Sequence, residues 1–442
     1  MKLQETQNSL PRAKKMRNLS TATTVLTATV LASLAIPMSA QDKLTVKCGR
    51  LIIAPGKELK DAIILIENGK IKSVGTKIDV PWEAKVIDAS KKVVMATYVI
   101  AHTSSGMSQG NERMANVPYI TVQDGVDPAH NYFEEALRNG IGAIHVIPGN
   151  NTLLGGTGMV VKPYGKTVEE MAVRARTGLK MSLQSSGSRM AQIHKMRRAL
   201  EDIKDYIADY ERRKKEFDEE KAAGATKKKE FEEKIDEKKK PVVDLLKGEA
   251  RAYFYVPTTA EMHEAMQLIA KYKLDVVLVL GPRCHKSAES LARTKIPIIL
   301  DATMEYEELD RDTDENVKYC PAALLDKAGK AFTLSIGSSG MTRYPWWQMA
   351  TAIRNGVSRD KALAALTTEP AKLLGLDKEI GTIETGKVAN LQILSGDPLK
   401  ATTWVETVVL DGEIVYERSK DRRLQHLFGK TDSDTDKKAS NR

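Results

Sequence analysis

The scarce reactive side chains of this 442-residue chain are seven histidines and three cysteines. No two histidines stand three or four residues apart, so no helix offers the paired imidazoles of a helical zinc site. Cys48, Cys284 and Cys320 include no CxxC spacing. Three cysteines leave at least one thiol unpaired within the chain; a Cys284–Cys320 disulfide is one state and buried free thiols are the expected one. Cys284 and His285 are adjacent, but a nucleophile and its base must converge in space, which sequence neighbours seldom do. Gly155-Gly156-Thr157-Gly158 lacks the Lys-Ser/Thr that completes a phosphate loop. Asp301, Glu305 and Glu307 offer carboxylates and read as a solvated loop. A metal site is open only to distant residues, His102 with His145, His285 or Asp301.

Hydropathy patterning outlines the scaffold that must carry these groups. Apolar runs recur at Val93–Ile100, Ala143–Pro148, Met159–Val161, Leu179–Leu183, Ala252–Val256, Leu274–Leu280, Ile296–Leu300 and Phe332–Ile336, with amphipathic stretches such as Glu261–Tyr272 and Tyr344–Asn355 between them. Alternating strand and helix signals imply parallel βαβ units. Their number suits a (β/α)8 TIM-like barrel over residues 93–379; a doubly wound open sheet is the competing arrangement. Both chain ends read as β. Asn68-Gly69 and Asp411-Gly412 each separate two apolar strands, the signature of a tight hairpin. The α/β chain is therefore expected to join its barrel to a small β-sandwich built from both ends, residues 41–92 and 380–418.

A densely charged insertion spans residues 189–247. Ile193, Leu200, Ile203, Ile207 and Tyr210 recur at helical spacing. Ala222-Ala223-Gly224-Ala225 interrupts them, and Phe231 and Ile235 suggest a second helix running toward Pro241. The expectation is a helical hairpin standing off the barrel, either a solvated arm or a partner-binding one. Residues 419–442 read as a polar, disordered tail.

Residues 1–40 have the layout of a secretory signal: Lys14, Lys15 and Arg17, an apolar stretch from Thr24 to Ile36, then Pro37-Met38-Ser39-Ala40. Translation from Met16 would leave a compact signal, and an uncleaved anchor is the alternative. The expected product is exported, periplasmic or secreted, with no stable membrane span after cleavage, because the apolar stretch is short for one. Five basic residues against Glu5 put +4 of the net +10 charge in this segment. The remaining +6 is modest for the length and does not argue for nucleic acid.

Three collinear segments resemble the motifs of a known family. Gly381-Thr382-Ile383-Glu384-Thr385-Gly386-Lys387-Val388-Ala389-Asn390-Leu391, followed by Ser395-Gly396-Asp397-Pro398-Leu399, is similar to the family's G-[ST]-[IL]-E-x-G-K-x-A-D-L and GDPL, with Asn390 in place of Asp. Thr368-Glu369-Pro370-Ala371-Lys372-Leu373-Leu374-Gly375-Leu376 resembles T-x-N-P-A-x-x-L-G-L. Glu67-Asn68-Gly69-Lys70-Ile71-Lys72-Ser73-Val74-Gly75 resembles E-x-G-K-I-x-x-V-G. The family these segments resemble is the amidohydrolase superfamily, in its imidazolonepropionase-like branch; the resemblance covers about residues 44–418 and implies the barrel-plus-sandwich fold. It also implies zinc or another divalent metal at the C-terminal ends of the strands, activating water for hydrolysis at carbon–nitrogen bonds.

Against that resemblance the ligand positions are depleted. Ala96-Thr97-Tyr98-Val99-Ile100-Ala101-His102-Thr103-Ser104 aligns with P-G-[FL]-[IV]-D-x-H-x-H and keeps only His102, with Ile100 and Ser104 at the other ligand positions. Gly178-Leu179-Lys180-Met181-Ser182-Leu183-Gln184-Ser185 aligns with G-L-K-x-A-x-G-E and has Ser185 for the acid. Tyr255 and Pro257 stand in the fifth strand where relatives carry I-H-A-H, Leu280 where a sixth-strand His is expected, and Gly337 where the last strand carries Asp. One imidazole is too few for a catalytic zinc, which needs about three protein ligands. The expected protein has no catalytic residue and no cofactor. It is a binding or partner subunit, as a homo-oligomer or beside an intact paralogue, with a small molecule or peptide as ligand. The alternatives are a metal-dependent hydrolase of C–N bonds with a displaced site, and a ligand pocket lined by Tyr255, Leu280 and Ile100. Trp346-Trp347 and the charged arm are the candidate contact surfaces.

Overall fold

The computed structural model describes residues 43–184, 187–224, 226 and 230–428. The described chain opens with four strands, β1 (Lys43–Ala54), β2 (Lys57–Glu67), β3 (Lys70–Gly75) and β4 (Lys85–Ala96). Asn68 and Gly69 turn β2 into β3 with φ of 50° and 73°, the two positive angles a type I′ turn requires. Gly69 is needed twice over, since a Cβ there would stand 2.7 Å from the Asp411 carbonyl oxygen at the tip of the other hairpin.

The barrel starts one residue after β4, so the apolar run Val93–Ile100 serves two layers. Its elements in chain order are β5 (Tyr98–Thr103), α1 (Asn131–Arg138), β6 (Ile141–Val146), β7 (Leu154–Thr157), β8 (Met159–Val161), α2 (Val168–Met171), β9 (Ala172–Arg174) and β10 (Leu179–Ser182). The insertion follows with α3 (Arg189–Ala222) and α4 (Lys240–Leu246). Then come β11 (Ala252–Thr258), α5 (Thr259–Tyr272), β12 (Val276–Arg283), α6 (Ala288–Ala292), β13 (Ile298–Leu300), the hairpin β14 (Tyr306–Leu309) and β15 (Asn316–Tyr319), α7 (Pro321–Lys327), β16 (Thr333–Leu334), α8 (Pro345–Arg354), α9 (Arg359–Ala364) and α10 (Thr368–Leu373).

Strand β5 pairs parallel with β6, and β10, β11, β12, β13 and β16 pair parallel in that order. The third place departs from the expected uniform set. There Leu154–Val161 runs antiparallel to both neighbours, β7 against β10 and β8 against β6. Gly156 permits this crossing, since a Cβ there would meet the Ile120 carbonyl oxygen at 2.4 Å. The seam between β16 and β5 is closed through one segment: Leu334 N–H donates to Ala365 O and Val99 N–H to Leu366 O.

Side-chain alternation divides the barrel strands into two cores. Val99, Ala101, Ala143, Ile147, Tyr253, Tyr255, Val277, Val279 and Ile299 fill the interior with Leu374, Leu376 and Ile380. Ile100, Phe254, Val256, Leu278 and Leu280 face outward onto helix residues such as Met262, Leu268 and Met349.

The C-terminal strands β17 (Leu391–Leu394), β18 (Val405–Leu410) and β19 (Glu413–Glu417) join β4 through β17, with Met95 opposite Gln392. Both chain ends thus join in one seven-stranded hydrogen-bonded sheet, β19-β18-β17-β4-β1-β2-β3, the composite β-layer expected of residues 41–92 and 380–418. Its core mixes the two ends, with Val46, Ile64 and Ile66 against Leu391, Ile393 and Val409.

The insertion is only half as read. Helix α3 buries Met196 and Leu200 and ties to α5 through Arg197–Glu264 and a 2.5 Å bond from Tyr272 O–H to Glu201. Phe231 and Ile235 do not continue as a helix. Phe231 packs on Tyr210 and Phe217, each with ring centroids 5.6 Å away, and Pro241 lies in the first turn of α4. Proline suits a helix start because the N–H it lacks would have no partner there. The tail reading is also corrected: Arg422–Phe428 forms α11, anchored where Arg138 donates to Asp421 at 2.7 Å. Residues 1–40 and 429–442 lie outside the described residues. Among the described residues no helix is long and apolar enough to cross a membrane.

Candidate active site

The mouth of the barrel is organised around a lysine. Lys180 sits in β10 between Leu179 and Met181, which face the helices, so alternation turns Lys180 inward. It is fully buried. Its Nζ lies 2.7 Å from His102 Nε2 and 2.6 Å from Asn150 Oδ1, and 5.6 Å from the centre of the Tyr255 ring. Tyr255 in turn donates its hydroxyl to Asp301 Oδ2 at 3.3 Å. The loop Pro148-Gly149-Asn150 therefore shapes this site.

His102 reaches the interior through an irregularity. The ladder between β5 and β6 pairs Ile100 with Ile144 and Thr103 with Val146, one residue out of step. Such a bulge re-aims the side chains that follow it. His145, two residues into the same region on β6, is committed elsewhere: its Nδ1 lies 2.7 Å from Ala101 O and its Nε2 2.7 Å from Thr177 Oγ1.

Burial sets the charges. Desolvation lowers Lys180 to about 7, with Asp301 pulling weakly the other way. Burial, then the Lys180 charge, hold His102 well below the ordinary histidine range, and burial takes His145 down to about 4. Both imidazoles are neutral at pH 7. When Lys180 is an ammonium, it donates to His102 Nε2, which places the imidazole proton on Nδ1.

The family's metal does not fit this donor set. A lone pair on His102 Nε2 that accepts from Lys180 is not available to a cation, and an ammonium beside it repels one. No group of three His, Cys, Asp or Glu side chains among the described residues could hold a metal ion. The proposed combination of His102 with His145, His285 or Asp301 is not brought together as a ligand set.

The other aligned positions fall as follows. Ser104 follows β5 and stands beside Gly110. Tyr255 faces the interior, and the Pro257 carbonyl packs against Gly281. Leu280 is misplaced by the sequence reading. It points to the helix layer with Ile100, so the expected pocket of Tyr255, Leu280 and Ile100 does not form; the inward residue of β12 is Val279. Gly337 donates its N–H to Thr342 O after β16. Ser185 lies outside the described residues. Lys180 was not singled out from the sequence; the available signal was one charge inside the buried run Leu179–Leu183.

Cys284 and His285 do not form a nucleophilic pair. Cys284 Sγ donates to Val256 O at 3.2 Å, while His285 stacks on Tyr319 with ring centroids 4.3 Å apart and lies 3.2 Å from Glu308. Of the carboxylates, Glu305 pairs with Arg354 and Glu307 with Lys318, leaving Asp301 alone at the mouth. All three cysteines are free and buried, and burial raises Cys48 and Cys284 to about 12. Ellman's reagent is therefore expected to leave the native protein unmodified and to count three thiols in guanidinium; rapid native labelling would contradict this burial.

Residues 329–416 match the amidohydrolase family. The chain is 25% identical over 409 residues to 5'-deoxyadenosine deaminase of Methanobrevibacter smithii, covering 82% of this chain and 90% of that one. It superimposes on an amidohydrolase from Thermotoga maritima MSB8 with a TM-score of 0.74 and 27% identity, over 85% of this chain and all of the other. A β-aspartyl dipeptidase from Fervidobacterium islandicum shares the fold at a TM-score of 0.50 and 12% identity, covering 85% of this chain and 97% of that one. With the barrel, the composite sheet and the Gly381–Leu391 segment, these likenesses support the amidohydrolase superfamily as the class of this chain.

Proposed function

We propose that this protein is an exported amidohydrolase-superfamily member that works without the family's metal, as a binding or partner subunit rather than a hydrolase. The observation that carries the reading is Lys180 Nζ seated on His102 Nε2. The one imidazole kept at a family ligand position is taken by an internal amine. Serine, tyrosine, proline and glycine at Ser104, Tyr255, Pro257 and Gly337 supply no replacement for the missing imidazoles and carboxylate. Export rests on the signal layout of residues 1–40.

A second reading is a hydrolase of C–N bonds, favoured by the deaminase and dipeptidase among the similar proteins. Elemental mass spectrometry on the mature, untagged protein after zinc exposure and dialysis separates the two. The expected result is far less than one zinc per chain, with no ammonia released from 5'-deoxyadenosine. About one zinc per chain together with steady turnover would overturn the metal-free reading. N-terminal sequencing of the exported protein tests cleavage, which is expected near Ala40.

A further inference from the structure

A groove of about 280 Å³ lies away from the barrel mouth, between α1, the start of α8 and the C-terminal strands. None of the six described family-aligned positions, His102, Ser104, Tyr255, Pro257, Leu280 and Gly337, lines it. We propose that it binds a small aromatic carboxylate.

Charge comes first. Four arginines line the groove, Arg138, Arg343, Arg418 and Arg423, against one carboxylate, Glu135. Glu135 is already shared by Arg423 at 3.1 Å and Arg343 at 3.7 Å, and Arg138 is held by Asp421. Arg418 makes no ion pair among the described residues. Its guanidinium lies over the Trp404 ring, 4.3 Å from the centroid. A guanidinium backed by an indole keeps its plane while its N–H edge stays available to a carboxylate fork.

Two further features leave positive charge undercompensated beside the groove. Among the described residues Arg138 Nη1 and Arg343 Nε are buried without a hydrogen-bond partner, an arrangement that native proteins rarely leave unexplained. Helix α8 begins in the groove wall with Tyr344 as an N-cap that makes no side-chain cap bond, Pro345 in the first turn and no acidic residue there. Its partial positive end is thus left for an external anion.

The walls set the rest of the ligand. Tyr98, Tyr344, Trp346, Trp404 and Tyr416 surround the arginines, and Trp404 is 52% exposed. A flat ring can stack on these faces while its acid reaches the arginines. The volume, just under the usual range of about 300–1,000 Å³ for small-molecule sites, suits one or two fused rings.

The test is calorimetric titration of the full chain with 2-naphthoate, with 2-naphthalenemethanol as the uncharged comparator and cyclohexanecarboxylate as the non-aromatic one. The expected result is saturable 1:1 binding of naphthoate, with both comparators and the Arg418→Gln and Trp404→Leu variants at least about tenfold weaker. Both substitutions fall at accessible side chains, and unchanged melting temperatures would verify the fold. Equal affinity in wild type and both variants, or for naphthoate and either comparator, would overturn the site. So would a lack of saturation up to roughly 10 mM, weaker than a specific site. A groove covered by a second copy would give no binding and a concentration-dependent mass in sedimentation, which also overturns it. Zinc content is unaffected by any of these outcomes.

Discussion

Lys180→Met is expected to remove a rise in stability that the wild-type protein shows between about pH 7 and pH 10. Burial depresses the folded-state pKa of Lys180 to about 7, while an unfolded lysine titrates near 10.4. Below pH 7 both states carry the proton, and the folded state bears the full penalty of an interior ammonium. Between the two values the unfolded chain holds a proton that the folded chain has released. Unfolding free energy therefore climbs with pH, by at most about 1.4 kcal/mol per unit. The gain is complete above the unfolded value. Urea unfolding of both proteins at pH 6, 7, 8 and 9 reads this directly, because other titrating groups cancel in the difference. The wild-type minus variant difference should rise by roughly 2–3 kcal/mol across this range, most of it above pH 7. Parallel curves would mean that Lys180 keeps its ordinary pKa and is not desolvated as its contacts imply. The variant also strips His102 Nε2 and Asn150 Oδ1 of their donor, worth about 1–3 kcal/mol. At pH 6 this loss is opposed by relief of the buried charge.

The second large effect belongs to Asp397, in the Ser395–Leu399 segment that resembles the family's GDPL. Its carboxylate accepts from Arg359 at 2.8 and 3.0 Å, from Arg50 at 2.9 Å and from the Leu399 N–H at 3.0 Å. Arg50 belongs to β1 and Arg359 to α9, so one side chain fastens the seven-stranded sheet to the barrel. Asp397→Ala leaves two guanidiniums facing each other across the vacated space. Removing one partner of a buried ion pair costs about 3–5 kcal/mol; both arginines are about one-third exposed, so solvent screening reduces this to roughly 2–3 kcal/mol. Asp397→Asn keeps the shape and loses the charge, and is expected to fall between. The arginines and the Leu399 N–H hold the Asp397 pKa below the usual aspartate value, against desolvation. Its contribution is thus present above the unfolded value and lost as pH falls through the folded one. Denaturant midpoints at pH 7 should show the full deficit of both variants, and in acid the difference from wild type should close. A deficit that persists undiminished in acid would assign the loss to packing instead of charge.

Much of this protein was legible before its tertiary structure, for reasons local to the chain. Asn68-Gly69 and Asp411-Gly412 specify hairpins because both residues of each pair adopt positive φ. The apolar runs became strands because a strand buried on both faces must be apolar throughout. Period and turn chemistry also located α5 and α8 to within one or two residues, since an amphipathic face repeats along the chain itself.

What escaped the sequence depends on register and on contacts between distant segments. Leu280 was assigned to the site although it faces the helices, because a one-residue shift exchanges the two faces of a strand. His102 faces inward only because β5 slips out of step with β6 after Ile100. The antiparallel third place follows from hydrogen bonds between segments that no local pattern specifies. Phe231 reads as helical, yet it is held by Tyr210 and Phe217 on α3. Sequence alone determined the fold class, both hairpins and the scarcity of metal donors, because composition and short-range geometry decide those. Tertiary structure alone placed the Lys180 amine on His102, 78 residues away along the chain, because only the closed barrel brings β10 and β5 to one interior.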